Sequence, residues 1–160
     1  MFFVDRVAGL REMMRVLKPG GRLAIAVCDS LDRSPGYAAL ADLLERLFGN
    51  RVADAFRAPF ALGDGKLLRS LCEKADIRAE VIRHHGTVRF ASIESLISTE
   101  RACIWTLGGL LDEQHFSRLV DEAQRALRPF VTANGDIAFD MPALIVTGSK
   151  KDSQEAAVAG

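Results

Sequence analysis

No stretch of this 160-residue sequence is apolar for long enough to span a bilayer, which takes about 20 residues. The opening apolar run, Met1 to Val4, is cut off by Asp5 and Arg6, well short of the roughly 7–15 apolar residues of a signal peptide. Charge of one sign is missing too: 21 Lys and Arg stand against 21 Asp and Glu, with a sequence pI near 6.8. With no net field to draw polyanions, nucleic acid and anionic membranes are not expected partners. Cysteine is scarce. Cys28, Cys72 and Cys103 stand in apolar segments at wide, unequal spacing, which suits reduced packing thiols and a cytoplasmic setting better than a disulfide framework. Tryptophan and tyrosine occur once each, Trp105 and Tyr37, both within helical patterns, and Trp105 is expected in the core or an interface. His84-His85 invites a metal reading, but adjacent strand residues point to opposite faces and cannot chelate one ion, so no metal is expected.

What is present is an ordinary globular balance, 49% hydrophobic and 26% charged. A chain of this size buries about 70% of the surface its unfolded form exposes, so it needs no staple to fold. One domain over residues 1–150 is expected, with a disordered polar tail over 151–160. Asp5 caps a helix whose Leu10, Met13, Met14 and Leu17 fall on one stripe. Pro19-Gly20-Gly21 stops it, and R-L-A-I-A-V-C (22–28) follows, read as a strand buried on both faces as in a parallel sheet. Ser34-Pro35 starts a helix with a capping hydroxyl, burying Leu40, Leu43, Leu44, Leu47 and Phe48 and ending at Gly49. Short helices are expected near 51–57 and near 66–75, the latter burying Leu67, Leu68 and Leu71 after a surface turn at Gly63-Asp64-Gly65. Residues 77–90 read as a strand, bent at Gly86. Ser92 caps a helix that Gly108-Gly109 should end or kink, and Asp112 caps the longest helix, to about Leu127. After the turn Asn134-Gly135, the paired part of the last strand is placed at 143–147 because Pro142 interrupts it.

The stretch Arg15-Val16-Leu17-Lys18-Pro19-Gly20-Gly21-Arg22, joining an amphipathic helix to an apolar strand, resembles the segment that leads into strand five of class I S-adenosylmethionine-dependent methyltransferases, of the ubiquinone-menaquinone C-methyltransferase type. The likeness runs on loosely through Ala58-Pro59-Phe60-Ala61-Leu62, the long helix and Asn134-Gly135-Asp136, covering about residues 2–150. It implies an α/β fold, a truncated Rossmann-like arrangement of about three sheet strands with packed helices, in which the last strand lies between the other two. It also implies that the glycine-rich turn after strand one and the acidic residue after strand two, which hold the cofactor in that family, lie outside this chain. Gly63-x-Gly65 is no substitute, since position 68 is leucine.

The resemblance places Phe2 and Phe3 near the cofactor of a complete relative, and Asp29, Ser30, Tyr37 and Phe60 at the substrate pocket, with the helix over 37–48 as part of its lid. Asp29 and Ser30 stand after the strand, at the edge where open parallel sheets bind ligands; they equally suit a turn that only satisfies backbone. No catalytic side chain is assigned, because methyl transfer rests mainly on positioning and water exclusion. S-adenosylmethionine is the cofactor expected of the complete family member, and none is expected for this chain alone. Two functions follow: part of a methyltransferase, inactive without an N-terminal half, or a non-enzymatic interaction module. The partner is then a completing half or a second copy in a homodimer joined through the 22–28 edge.

Overall fold

The computed structural model describes residues 3–150. Helix α1 (Arg6–Val16) starts where Asp5 accepts the Ala8 N–H at 2.9 Å. Its reversal into strand β1 (Arg22–Cys28) depends on two glycines for different reasons. Gly20 sits at φ 71°, and a Cβ on Gly21 would lie 2.7 Å from the Lys18 carbonyl oxygen. Lys150 closes the same corner from the far end of the chain, donating to the Arg15 and Leu17 carbonyls at 2.9 and 2.7 Å and so satisfying orphan acceptors at the end of α1.

Strand β1 pairs with β5 (Ala143–Ser149), which pairs on its other side with β2 (Ala79–His84), so the last strand lies between the other two, as the resemblance implies. Both pairings are antiparallel, from Arg22↔Ser149 to Cys28↔Ala143 and from Ala79↔Gly148 to His84↔Ala143. This corrects the reading of β1 as a doubly buried parallel strand. Leu23, Ile25 and Val27 pack toward α1 and α4 (Gly65–Lys74), whereas Ala24 and Ala26 are exposed. The strand alternates in size, large against small, and counting alanine as apolar hides that period.

The stretch 77–90 is also corrected, from one strand in one sheet to two strands in two sheets. Strand β3 (Thr87–Phe90) pairs with β4 (Ile137–Asp140). The pairing nevertheless runs from His84↔Ala143 to Thr87↔Asp140, three residues along on each chain, without a slip in register. It is one antiparallel ribbon broken where Pro142 has no N–H to donate, and where Gly86 packs so tightly that a Cβ would lie 2.8 Å from the Met141 carbonyl oxygen.

The break separates two cores. Leu144 and Val146 of β5 pack with Leu10, Leu68 and Cys72 under α1 and α4. Beyond it, Ile137 and Phe139 of β4 are enclosed by α2 (Pro35–Phe48), α3 (Asn50–Arg57), α5 (Ile93–Ala102) and α6 (Glu113–Ala126). Asp64, Ser92 and Asp112 cap α4, α5 and α6 through N–H groups of their first turns. Ser34 does not cap α2: its hydroxyl is buried with no partner among the described residues. Leu67 is exposed on the outer face of α4. Helix α5 ends at Ala102, before the glycines, because Cys103 turns extended; Gly108 and Gly109 serve a tight 3-10 turn in which carbonyls of Arg101 and Ile104 leave no room for a Cβ. Trp105 is 76% exposed and is not in the core.

Candidate functional site

The carboxyl end of β1 is where the elements converge. Period-two alternation carries Asp29 onto the face of Val27, and on that same face Leu144 of β5 stands between Val27 and Arg83 of β2. Arg83 therefore reaches along the sheet end to Asp29. Its Nε donates to Asp29 Oδ2 and its Nη2 to Oδ1 at 3.4 Å. The Ser30 N–H donates to Oδ1 at 2.8 Å, and Arg33 Nε stands 3.9 Å from Oδ2. Asp29 has no exposed surface. Burial pushes its carboxyl up, but the Arg83 and Ser30 hydrogen bonds, with the Arg83 and Arg33 charges, outweigh that and hold it below its ordinary value. Gly63 seals the knot from the other side: a Cβ there would collide with the Asp29 carbonyl carbon and the Ser30 nitrogen. Gly63 is thus a buried close approach and not part of a surface turn.

A second group is built on α2. Its first turn lies flat on Phe139, since a Cβ on Gly36 would enter that ring. Tyr37 then stands edge-on to Phe139 with ring centroids 5.0 Å apart, and 5.7 and 5.9 Å from Phe56 and Phe60. The Tyr37 hydroxyl meets the carboxyl of Glu100 on α5. Burial raises the Glu100 carboxyl, opposed in part by that hydroxyl, while burial and the Glu100 charge raise Tyr37. Tyr37 is therefore a neutral donor to a carboxyl that takes up a proton more readily than usual. Cys28 lies close enough to bear on Tyr37, and burial raises its thiol, which disfavours a thiolate nucleophile.

Of the residues singled out in the sequence, Tyr37 and Phe60 stand together, and Asp29 and Ser30 share one hydrogen-bonded turn. Phe3 lies apart, 57% exposed, at an apolar cavity of about 90 Å³ that Leu10, Ile25 and Val27 also line. Phe2 lies outside the described residues. Arg83 and Glu100 were not singled out, and Gly63 was read only as a surface turn; no local signal marks their roles, because each acts on a partner 33 or more residues away. Among the described residues no cluster of His, Cys, Asp and Glu could hold a metal ion, and no helix is long and apolar enough to cross a membrane.

No family model and no curated protein matches the sequence. Among solved structures, a provisionally assigned methyltransferase from Bacillus halodurans C-125 is similar at a TM-score of 0.46 and 16% identity, over 91% of this chain and 62% of its own. The YcgJ protein from Bacillus subtilis is similar at a TM-score of 0.49 and 19% identity, over 94% of this chain and 60% of its own. The chain thus spans about three fifths of the length of either structure. Both likenesses are too distant to bear on its chemistry.

Proposed function

We propose that this chain is the C-terminal part of a class I S-adenosylmethionine-dependent methyltransferase and contributes the acceptor side of the reaction. The observation that carries the reading is the sheet order β1-β5-β2, with the last strand inserted between the other two, entered through the Lys18-Pro19-Gly20-Gly21 corner. The described residues do not fit the cofactor. Strand β1 leads into the Asp29 knot and not into a glycine-rich turn, and Gly63 is pressed against that knot and has no room to cradle a ligand. No step of methyl transfer is therefore assigned to these residues beyond holding the acceptor.

The residues we assign to that task are Tyr37 and Phe60, whose rings stand together with the buried Phe139, and Glu100, which bears on the Tyr37 hydroxyl. A thermal-shift titration with S-adenosylmethionine tests the division of labour, because a ligand that binds the folded state raises the melting temperature by mass action. No shift is expected for this chain alone, and a saturable rise at micromolar ligand overturns it. The reading as a whole is tested by the DNA upstream of the Met1 codon: an in-frame strand and glycine-rich turn supports it, and unrelated sequence overturns it.

A further inference from the structure

Among the described residues the three-stranded sheet ends on one side at β2, whose backbone bonds to β5 and to no other strand. This edge lies across β5 from β1, so a completing half that adjoins β1 leaves it as it stands. An edge strand offers its N–H and C=O groups to another chain unless charge, proline or a bulge obstructs the approach. Strand β2 has no proline, and all six of its residues pair with β5 in one unbroken register. Its charged and polar groups are placed selectively. Glu80 and His84 are exposed on either side of Ile82, on the face turned away from α1 and α4. Arg83, on the other face, is held by the buried Asp29. Ile82 is 49% exposed, and among the described residues it is the one large apolar side chain so exposed in a β-strand. It ends a strip that runs from Ala26 of β1 through Ile145 of β5.

We propose that β2 pairs with β2 of a second copy of the chain, antiparallel and centred on Ile82. Residues opposed across such a pair share a face, so each register fixes its own list of neighbours. Centred on Glu80 or Arg83, the strands oppose like charges, and centred on Val81 they set Glu80 against the partner's Ile82. Centred on Ile82, they bring Ile82 against its own copy and Glu80 against the partner's His84, once at each end of the join. An imidazole has an N–H to donate to a carboxylate whether it is neutral or charged, so this contact holds at neutral pH. On the helix side Val81 meets the partner's Arg83, whose methylene stem covers it while the guanidinium stays on the carboxylate of its own subunit. That carboxylate also neutralises the charge that each Arg83 brings to the join. An open groove of about 570 Å³ between α4 and the start of β2, with Cys72, Ile77 and Ala79 among its lining, leaves room for the partner's chain beyond His84. The product is a six-stranded antiparallel sheet with its two-fold axis at Ile82. The proposal uses nothing from the methyltransferase reading, and its test involves no cofactor.

Sedimentation velocity of the chain through the micromolar range should show a species of twice the 17.5 kDa chain mass. His84→Glu sets two carboxylates against each other at both ends of the join and should abolish the dimer. His84→Glu with Glu80→Lys puts opposite charges back in exchanged places and should recover it. Ile82→Lys places two ammonium groups on the two-fold axis and should leave a monomer. All three positions are exposed, so far-UV circular dichroism should match the wild type. A wild-type monomer throughout, a dimer that survives His84→Glu or Ile82→Lys, or no recovery in the exchanged pair overturns the proposal. Hydrogen exchange locates the join without any variant. Amides of β2 should gain protection as protein concentration rises, and no gain there, or a gain at β1 instead, overturns it.

Discussion

Asp29 shows how one side chain acquires a role that its neighbours in sequence do not announce. A buried carboxylate is tolerated when charge and hydrogen bonds replace its lost water, and here Arg83 supplies most of both while Arg33 stands farther off. Arg83→Met should therefore lower the urea midpoint more than Arg33→Met, and equilibrium denaturation of the two variants checks the order. Because the folded state holds Asp29 below its ordinary value near 3.8, its contribution is present above that pH and is lost as pH falls below it. Glu100 runs the other way. Its raised carboxyl binds a proton more tightly in the folded state, so its contribution is full below about 4.5 and declines as pH rises through the raised value. Glu100→Gln should flatten that decline, measured as melting temperature against pH, and an unchanged slope would contradict the assignment.

At the scale of elements, the joints are decided by backbone. Helix α4 ends with Asp76 at φ 60°, the Ile77 N–H donating to the Cys72 carbonyl at 2.9 Å, a left-handed cap that favours glycine. Asp76→Gly should stabilise the fold by about 0.5 kcal/mol, net of the extra freedom that glycine brings to the unfolded chain. Gly63→Ala should do the opposite. Its methyl would enter the Asp29–Ser30 backbone, which cannot retreat without breaking the β1 end, and overpacking of this kind costs about 1–3 kcal/mol. Chemical denaturation distinguishes the two signs. Helix starts were legible in the sequence at Asp5, Ser92 and Asp112, because a cap is a contact within three residues. Ser34 carries the same local signal, yet its hydroxyl is buried and caps nothing.

Over the whole molecule, 21 charges of each sign leave no long-range repulsion near neutral pH. Solubility should pass through a minimum near pH 6.8, read by light scattering, and a solubility that is flat across that pH would contradict a balanced surface. Composition, the apolar stripes, the capping residues and the glycine corner are properties of short windows. They determined from sequence alone where α1, β1 and α6 lie and that the last strand belongs at Ala143 and beyond; the α/β fold class came from the resemblance that the glycine corner carries. Windows of that length cannot say what stands across a sheet. Only the tertiary structure decided that β1 is antiparallel to its neighbour and open on one face, that the ribbon breaks into two sheets at Gly86 and Pro142, and that Arg83 and Glu100 meet Asp29 and Tyr37. Each of those outcomes depends on contacts between residues tens of positions apart, and their pairing is fixed by register and packing, which no single stretch of sequence contains.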